Sequence, residues 1–208
     1  MRTGRVEAFS DGVIAILITI MVLELPKPDG ASWGALNDDW HGLLAYALSF
    51  VYLGIYWNNH HHMFQAVRQI RGGVLWANLH LLFWLSLVPF VTGWLSDEWQ
   101  PPEPLPIAPV ALYGITLLLA GVAYWLLQAA LIRAEGPDSA LAAAVGKDLK
   151  GKLTPVLYLV GIALSFVTPW LGIATYFVIA GIWLIPDRRV ERQLAHQTAE
   201  QRSVVADD

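Results

Sequence analysis

Few residues in this sequence can do chemistry where they stand, and Asp11 is the first of them. A carboxylate about one turn inside an otherwise apolar segment is costly unless it is paired or wetted. Asp11, with Ser10 beside it, is therefore either a hydrogen-bond partner for a neighbouring helix or an ion or proton site. His60, His61 and His62 form a second cluster. Metal-ligating histidines on one helix favour a spacing of three or four residues, and consecutive ones point in different directions. No second carboxylate cluster completes a ligand set, so hydrogen bonding is the simpler role, with pH sensing a second. Asn58 and Asn59 on the same segment, and Asn78, His80, Ser86 and Thr92 further on, put polar atoms among apolar ones. Such groups bond between membrane helices at modest strength, and they are candidate partners for Arg5, Ser10 and Asp11.

Several chemistries are excluded. There is no glycine-rich phosphate loop, no Ser/His/Asp arrangement and no paired glutamate–histidine motif. There are no cysteines, hence no disulfide and no cysteine-ligated metal. Nothing reads as a nucleic-acid surface. The expectation is a protein that is not an enzyme and carries no cofactor or metal.

The elements that must position these residues are membrane helices. Of the 208 residues 56% are hydrophobic and only 14% charged, against about a quarter charged in ordinary soluble domains. A spanning helix needs roughly 20 mostly apolar residues. Six candidates fit, at residues 7–25, 42–65, 74–95, 107–132, 153–168 and 170–186. The first is not a signal peptide, because it contains Asp11 and reaches Glu24-Leu25-Pro26 without a small-residue cleavage site. The last two nearly fuse at Thr168-Pro169, where proline can start a helix but not continue one, and so form a tight hairpin. Pro101-Pro102-Glu103-Pro104-Leu105-Pro106 is a stiff extended loop. Residues 1–186 form the transmembrane domain and 187–208 a polar tail.

Placing both termini in the cytoplasm leaves every lysine and arginine except Lys27 on internal segments, the bias that sets topology. Glu24, Asp29, Asp38, Asp39, Asp97, Glu98 and Glu103 then lie outside, as ordinary solvation or as a means of concentrating cations. Trp33, Trp40, Trp94, Trp99 and Trp170 fall near external ends, where an interfacial aromatic belt belongs.

Helical phase sorts the first segment. At about 100° per residue, Arg5, Phe9, Gly12, Ile16, Ile20 and Leu23 share one stripe, with Thr19 at its margin. Ser10 and Asp11 point away from it. An aliphatic column on a membrane helix is in the first place a packing face, so phase alone does not establish a pore. Nor is there a Thr-Val-Gly-Tyr-Gly carbonyl filter.

Arg5-x-x-x-Phe9-Ser10-Asp11 and the following Gly12-Val13-Ile14-Ala15-Ile16 resemble the signature of the transmembrane protein 175 family. The resemblance continues through Trp57-x-x-His60-x-x-x-Phe64-Gln65, Asn78-Leu79 and Leu87-Val88-Pro89-Phe90. These are potassium channels of endolysosomal membranes in animals, with shorter prokaryotic relatives. The resemblance implies a homotetramer in the bilayer of the cell (inner) membrane, with helix one of each subunit lining a central pore and potassium as the permeant ion. By position, Ile16 matches the central constriction, Ile20 and Leu23 match further layers, and Thr19 matches a position tied to selectivity. Arg5, Phe9, Ser10, Asp11 and His60 match the packing network beside the pore, and Asn78 falls among its candidate partners. The rival is a proton-permeable channel or proton-coupled transporter using Asp11 and His60.

Overall fold

A computed structural model describes residues 3–28, 30–34, 40–67, 70–99, 103–146 and 148–185. The polar tail from 187 onward lies outside the described residues, as do Asp29, Asp38, Asp39, Pro101 and Pro102. Every element among the described residues is helical: α1 (Thr3–Leu23), α2 (Trp40–Gln65), α3 (Gly72–Ser86), α4 (Val88–Glu98), α5 (Ile107–Glu135), α6 (Ala140–Val145), α7 (Leu149–Ser165) and α8 (Pro169–Leu184).

Among the described residues, three stretches are long and apolar enough to cross a membrane: Thr3–Leu23, Gly72–Glu98 and Ile107–Glu135. The second was expected to be one helix and is instead two, α3 and α4, joined at Leu87. Pro89 has no N–H for the carbonyl one turn back, which breaks the ladder. The Leu87 N–H turns in to the Trp84 carbonyl at 3.2 Å, and the Val91 N–H restarts the helix on the Leu87 carbonyl at 3.0 Å. At 26 residues α2 is about 39 Å long, ample for a bilayer, but its last two turns carry the asparagines and histidines. The expected hairpin at the end of the chain is present: α7 stops at Ser165, the Thr168 N–H caps the Leu164 carbonyl at 2.9 Å, and Pro169 opens α8. The short helix α6 lies in the stretch between 132 and 153, where no helix was expected.

Helix α5 is the hub, packing on α3, α4, α7 and α8. Close approach there depends on glycine. A Cβ on Gly114 would overlap the Tyr176 hydroxyl, and one on Gly172 would stand 2.9 Å from Ser165 Cβ and 3.0 Å from Val110 Cγ1. Small residues at crossings bring membrane helices together, since lipid offers no hydrophobic drive for their association. Polar side chains reinforce the centre: Ser49 Oγ lies 2.6 Å from Thr92 Oγ1 and 3.0 Å from the Tyr113 hydroxyl, all three buried. By contrast α1 packs only on one side of the bundle, against α2, α3 and α4.

Candidate functional site

One face of α1 is consumed by packing on α2, α3 and α4. Val6, Ser10, Ile14, Leu17 and Met21 recur at helical spacing and are all buried. The opposite face is open. Arg5, Gly12 and Thr19 are exposed, and Phe9, Ile16, Ile20 and Leu23 are 55%, 57%, 39% and 81% exposed. The stripe read from helical phase is thus a surface that this chain leaves uncovered. At its middle, the Thr19 hydroxyl donates to the Ile16 carbonyl at 2.9 Å. Its only proton is spent inside the helix, which leaves the oxygen only acceptor capacity toward its surroundings.

The buried face is locked by a chain of hydrogen bonds whose polarity can be deduced. The Ser10 hydroxyl donates to the Val6 carbonyl at 2.9 Å, so toward Asn78 it can only accept, and the Asn78 amide donates to it at 2.9 Å. The amide oxygen of Asn78 therefore faces His60, whose Nε2–H donates to it at 2.8 Å. His60 carries its proton on Nε2, and Nδ1 has no partner. Ser10, His60 and Asn78 are at most 2% exposed. One amide so ties α1 to α2 and α3, with Phe64 stacked on His60 at 4.3 Å between ring centroids.

A second set of contacts lies one step round the helices, nearer solvent. The Trp57 indole N–H donates to Asp11 Oδ1 at 3.0 Å. One turn further along α2, His61 Nδ1 donates to Glu7 Oε1 at 2.7 Å, and Gln65 donates to His61 Nε2 at 2.8 Å. The Trp57 and His61 rings are stacked, 6.0 Å apart. Glu7 and Asp11 are four residues apart on α1, as Trp57 and His61 are on α2, so two matched ridges meet.

Of the residues matched to the packing network, the structure joins Ser10, His60 and Asn78 directly and holds Asp11 separately on Trp57. Asp11 and His60 are not hydrogen-bonded to each other: one is held by Trp57 and the other by Asn78. Arg5 and Phe9 lie with Ile16 on the open face. Glu7 and Trp57 were given no role from the sequence; the signal that could have found them is the paired four-residue spacing just described. The three consecutive histidines diverge, His60 toward Asn78 and His61 toward Glu7. Among the described residues no group of three His, Asp or Glu is placed to hold a metal ion.

Apolar helices of spanning length, polar clamps between them and an uncovered aliphatic face define an all-α integral membrane protein. The sequence from residue 5 to 89 matches the family model described as "Endosomal/lysosomal potassium channel TMEM175". A protein of Chryseobacterium sp. (strain P1-3) named as a potassium channel is 50% identical over 194 residues, 93% of this chain and 98% of its own. One of Chamaesiphon minutus, also named as a potassium channel, is 36% identical over 86% of this chain and 92% of its own. The crystal structure of a lysosomal potassium-selective channel TMEM175 homolog from Chamaesiphon minutus superposes with a TM-score of 0.77 at 32% identity, covering 88% of this chain and 96% of that one. The chain belongs to the TMEM175 family of ion channels, and not to a family of enzymes.

Proposed function

We propose that the protein is a potassium-selective channel of the cell (inner) membrane, a homotetramer whose central pore is lined by the open face of α1. The observation that carries this reading is the division of α1 into two faces. One is braced by Ser10 through Asn78 and His60, and the other exposes Phe9, Ile16, Ile20 and Leu23 on a helix at the edge of the bundle. Six spans serve it, namely α1, α2, the broken α3–α4, α5, α7 and α8, with both termini cytoplasmic and residues 187–208 as a cytoplasmic tail. The permeant ion comes from the names of the relatives, which cover nearly the whole chain.

Four copies of Ile16 would form the constriction, with Ile20 and Leu23 as further rings. Such rings close by sterics and dewetting rather than by charge. Thr19, whose proton is held by the Ile16 carbonyl, would offer four outward-facing oxygens to replace part of the hydration shell of a cation. Glu24 and Asp97 line the groove beside Ile20 at the outer end of α1, where their charge would raise the local cation concentration. The test is reconstitution with potassium on one side and sodium on the other. A reversal potential near that of potassium supports the reading; currents that follow the proton gradient and ignore potassium replace it with the proton-permeable rival.

A further inference from the structure

Away from α1, on the same end of the bundle as His60, a partly enclosed cavity of about 50 Å³ opens between α2, α5, α7 and α8. Aromatic rings form its walls: Tyr56, Tyr124, Tyr158 and Trp183. Three residues that carry oxygen acceptors lie along its wall. Gln128 is 92% buried (8% exposed) and lines the cavity, yet its amide bonds to no other described side chain or backbone group. The amide is therefore free to bond a molecule that enters the cavity. Gly151 lines the wall one turn before Pro155, which has no N–H to give the Gly151 carbonyl. Asp148 supplies the third. It caps α7 with one carboxylate oxygen, Oδ1, which accepts from the Gly151 N–H at 2.9 Å. It does so at φ 33°, the one non-glycine residue with positive φ among those described.

We infer that this cavity binds a primary ammonium group borne on a short apolar tail. The rings attract a cation through their faces, and a carboxylate, an amide oxygen and a freed carbonyl match the three donors of –NH3+. A neutral apolar guest would leave the Gln128 amide unpaired, and an anion would meet Asp148. The volume suits an ammonium head and not an aromatic ring, with the tail running out past Ile55, Leu118 and the exposed Trp125. The ligand is either a soluble amine or the ethanolamine head of a lipid. The inference is independent of what the pore conducts.

The experiment uses the full chain in phosphatidylglycerol nanodiscs, following thermal unfolding while titrating n-butylammonium or the neutral n-butanol. The expected result is saturable stabilisation by the amine alone. Asp148→Asn keeps the helix cap, since Asn caps as well as Asp, but removes the charge and should shift the midpoint of the titration about tenfold upward. Gln128→Leu should shift it similarly. Circular dichroism and gel filtration establish that each variant folds, and Gln128→Leu carries the test if Asp148→Asn does not. Equal stabilisation by the alcohol, or titrations unchanged in the folded variants, overturns the inference. Adding phosphatidylethanolamine distinguishes the sources: competition with butylammonium assigns the site to the lipid head, and no competition assigns it to a soluble amine.

Discussion

Replacing Asn78 by leucine tests whether the buried amide is what fixes α1 on the bundle. Leucine fills nearly the same volume, so the change removes two hydrogen bonds without opening a cavity. It strips His60 Nε2–H of its acceptor at 2.8 Å and Ser10 Oγ of its donor at 2.9 Å. Between membrane helices such bonds average about 0.6 kcal/mol and reach about 1.7. Two of them give about 1–3 kcal/mol, and the upper end applies because Ser10 and His60 are both wholly buried, beyond the reach of water. Ser10→Ala should cost less, about 1 kcal/mol, because it leaves only the Asn78 amide N–H without a partner. A double-mutant cycle between Asn78→Leu and Ser10→Ala, read as apparent melting temperatures in nanodiscs, should give a coupling of about 0.5–1.5 kcal/mol. Each kcal/mol corresponds to about 2–4 °C for a chain of this size. Additive effects, or an Asn78→Leu protein as stable as the unsubstituted one, would refute the claim that this chain of bonds holds α1.

Three further expectations follow from the same structure. Ile16→Asn should wet the constriction, raising single-channel conductance and weakening discrimination between potassium and sodium; unchanged conductance and reversal potential would remove Ile16 from the pore. Asp11→Ala should mainly reduce tetramer yield on native gels, because it unpairs the Trp57 indole; a normal yield with selectively lost permeation would put Asp11 on the ion path. Gly114→Ala should destabilise by about 1–3 kcal/mol through overpacking against Tyr176, and Tyr176→Phe in that background should restore part of the loss by removing the hydroxyl.

Much of the architecture was legible because the membrane imposes so few solutions. Length and apolarity located three helical stretches long enough to cross a membrane, and Thr168-Pro169 located the hairpin. Phase separated Ile16, Ile20 and Leu23 from Ser10 without any knowledge of neighbours. What sequence could not deliver was pairing between helices. Nothing local says that Trp57 meets Asp11, or that His61 rather than His60 meets Glu7, since those contacts depend on how α1 and α2 cross. The kink at Leu87 was signalled by Pro89, but hydropathy averages over it and returns one unbroken stretch. The cavity was invisible because its parts are scattered over four helices. Arg5 and Phe9 drew two different readings. Phase placed them on the aliphatic stripe and resemblance placed them in the network, and within one subunit they lie on the stripe.

The position of the brace explains why one amide matters more than its energy suggests. Aliphatic packing of Ile14, Leu17 and Met21 holds α1 against its neighbours but is less directional, since apolar side chains of similar volume can repack. Hydrogen bonds are directional. In the chain from Val6 through Ser10 and Asn78 to His60, each donor has one acceptor, so only one rotation of α1 satisfies it. A one-residue error would turn the helix by about 100°, carrying Phe9 or Asp11 to Asn78 and Ile16 off the open face. The polar residue that looked like an ion site in the sequence thus stands beside the one that sets the phase of the helix. Ser10 decides which side chains α1 leaves uncovered, and through them the chemistry that any ion passing along that face would meet.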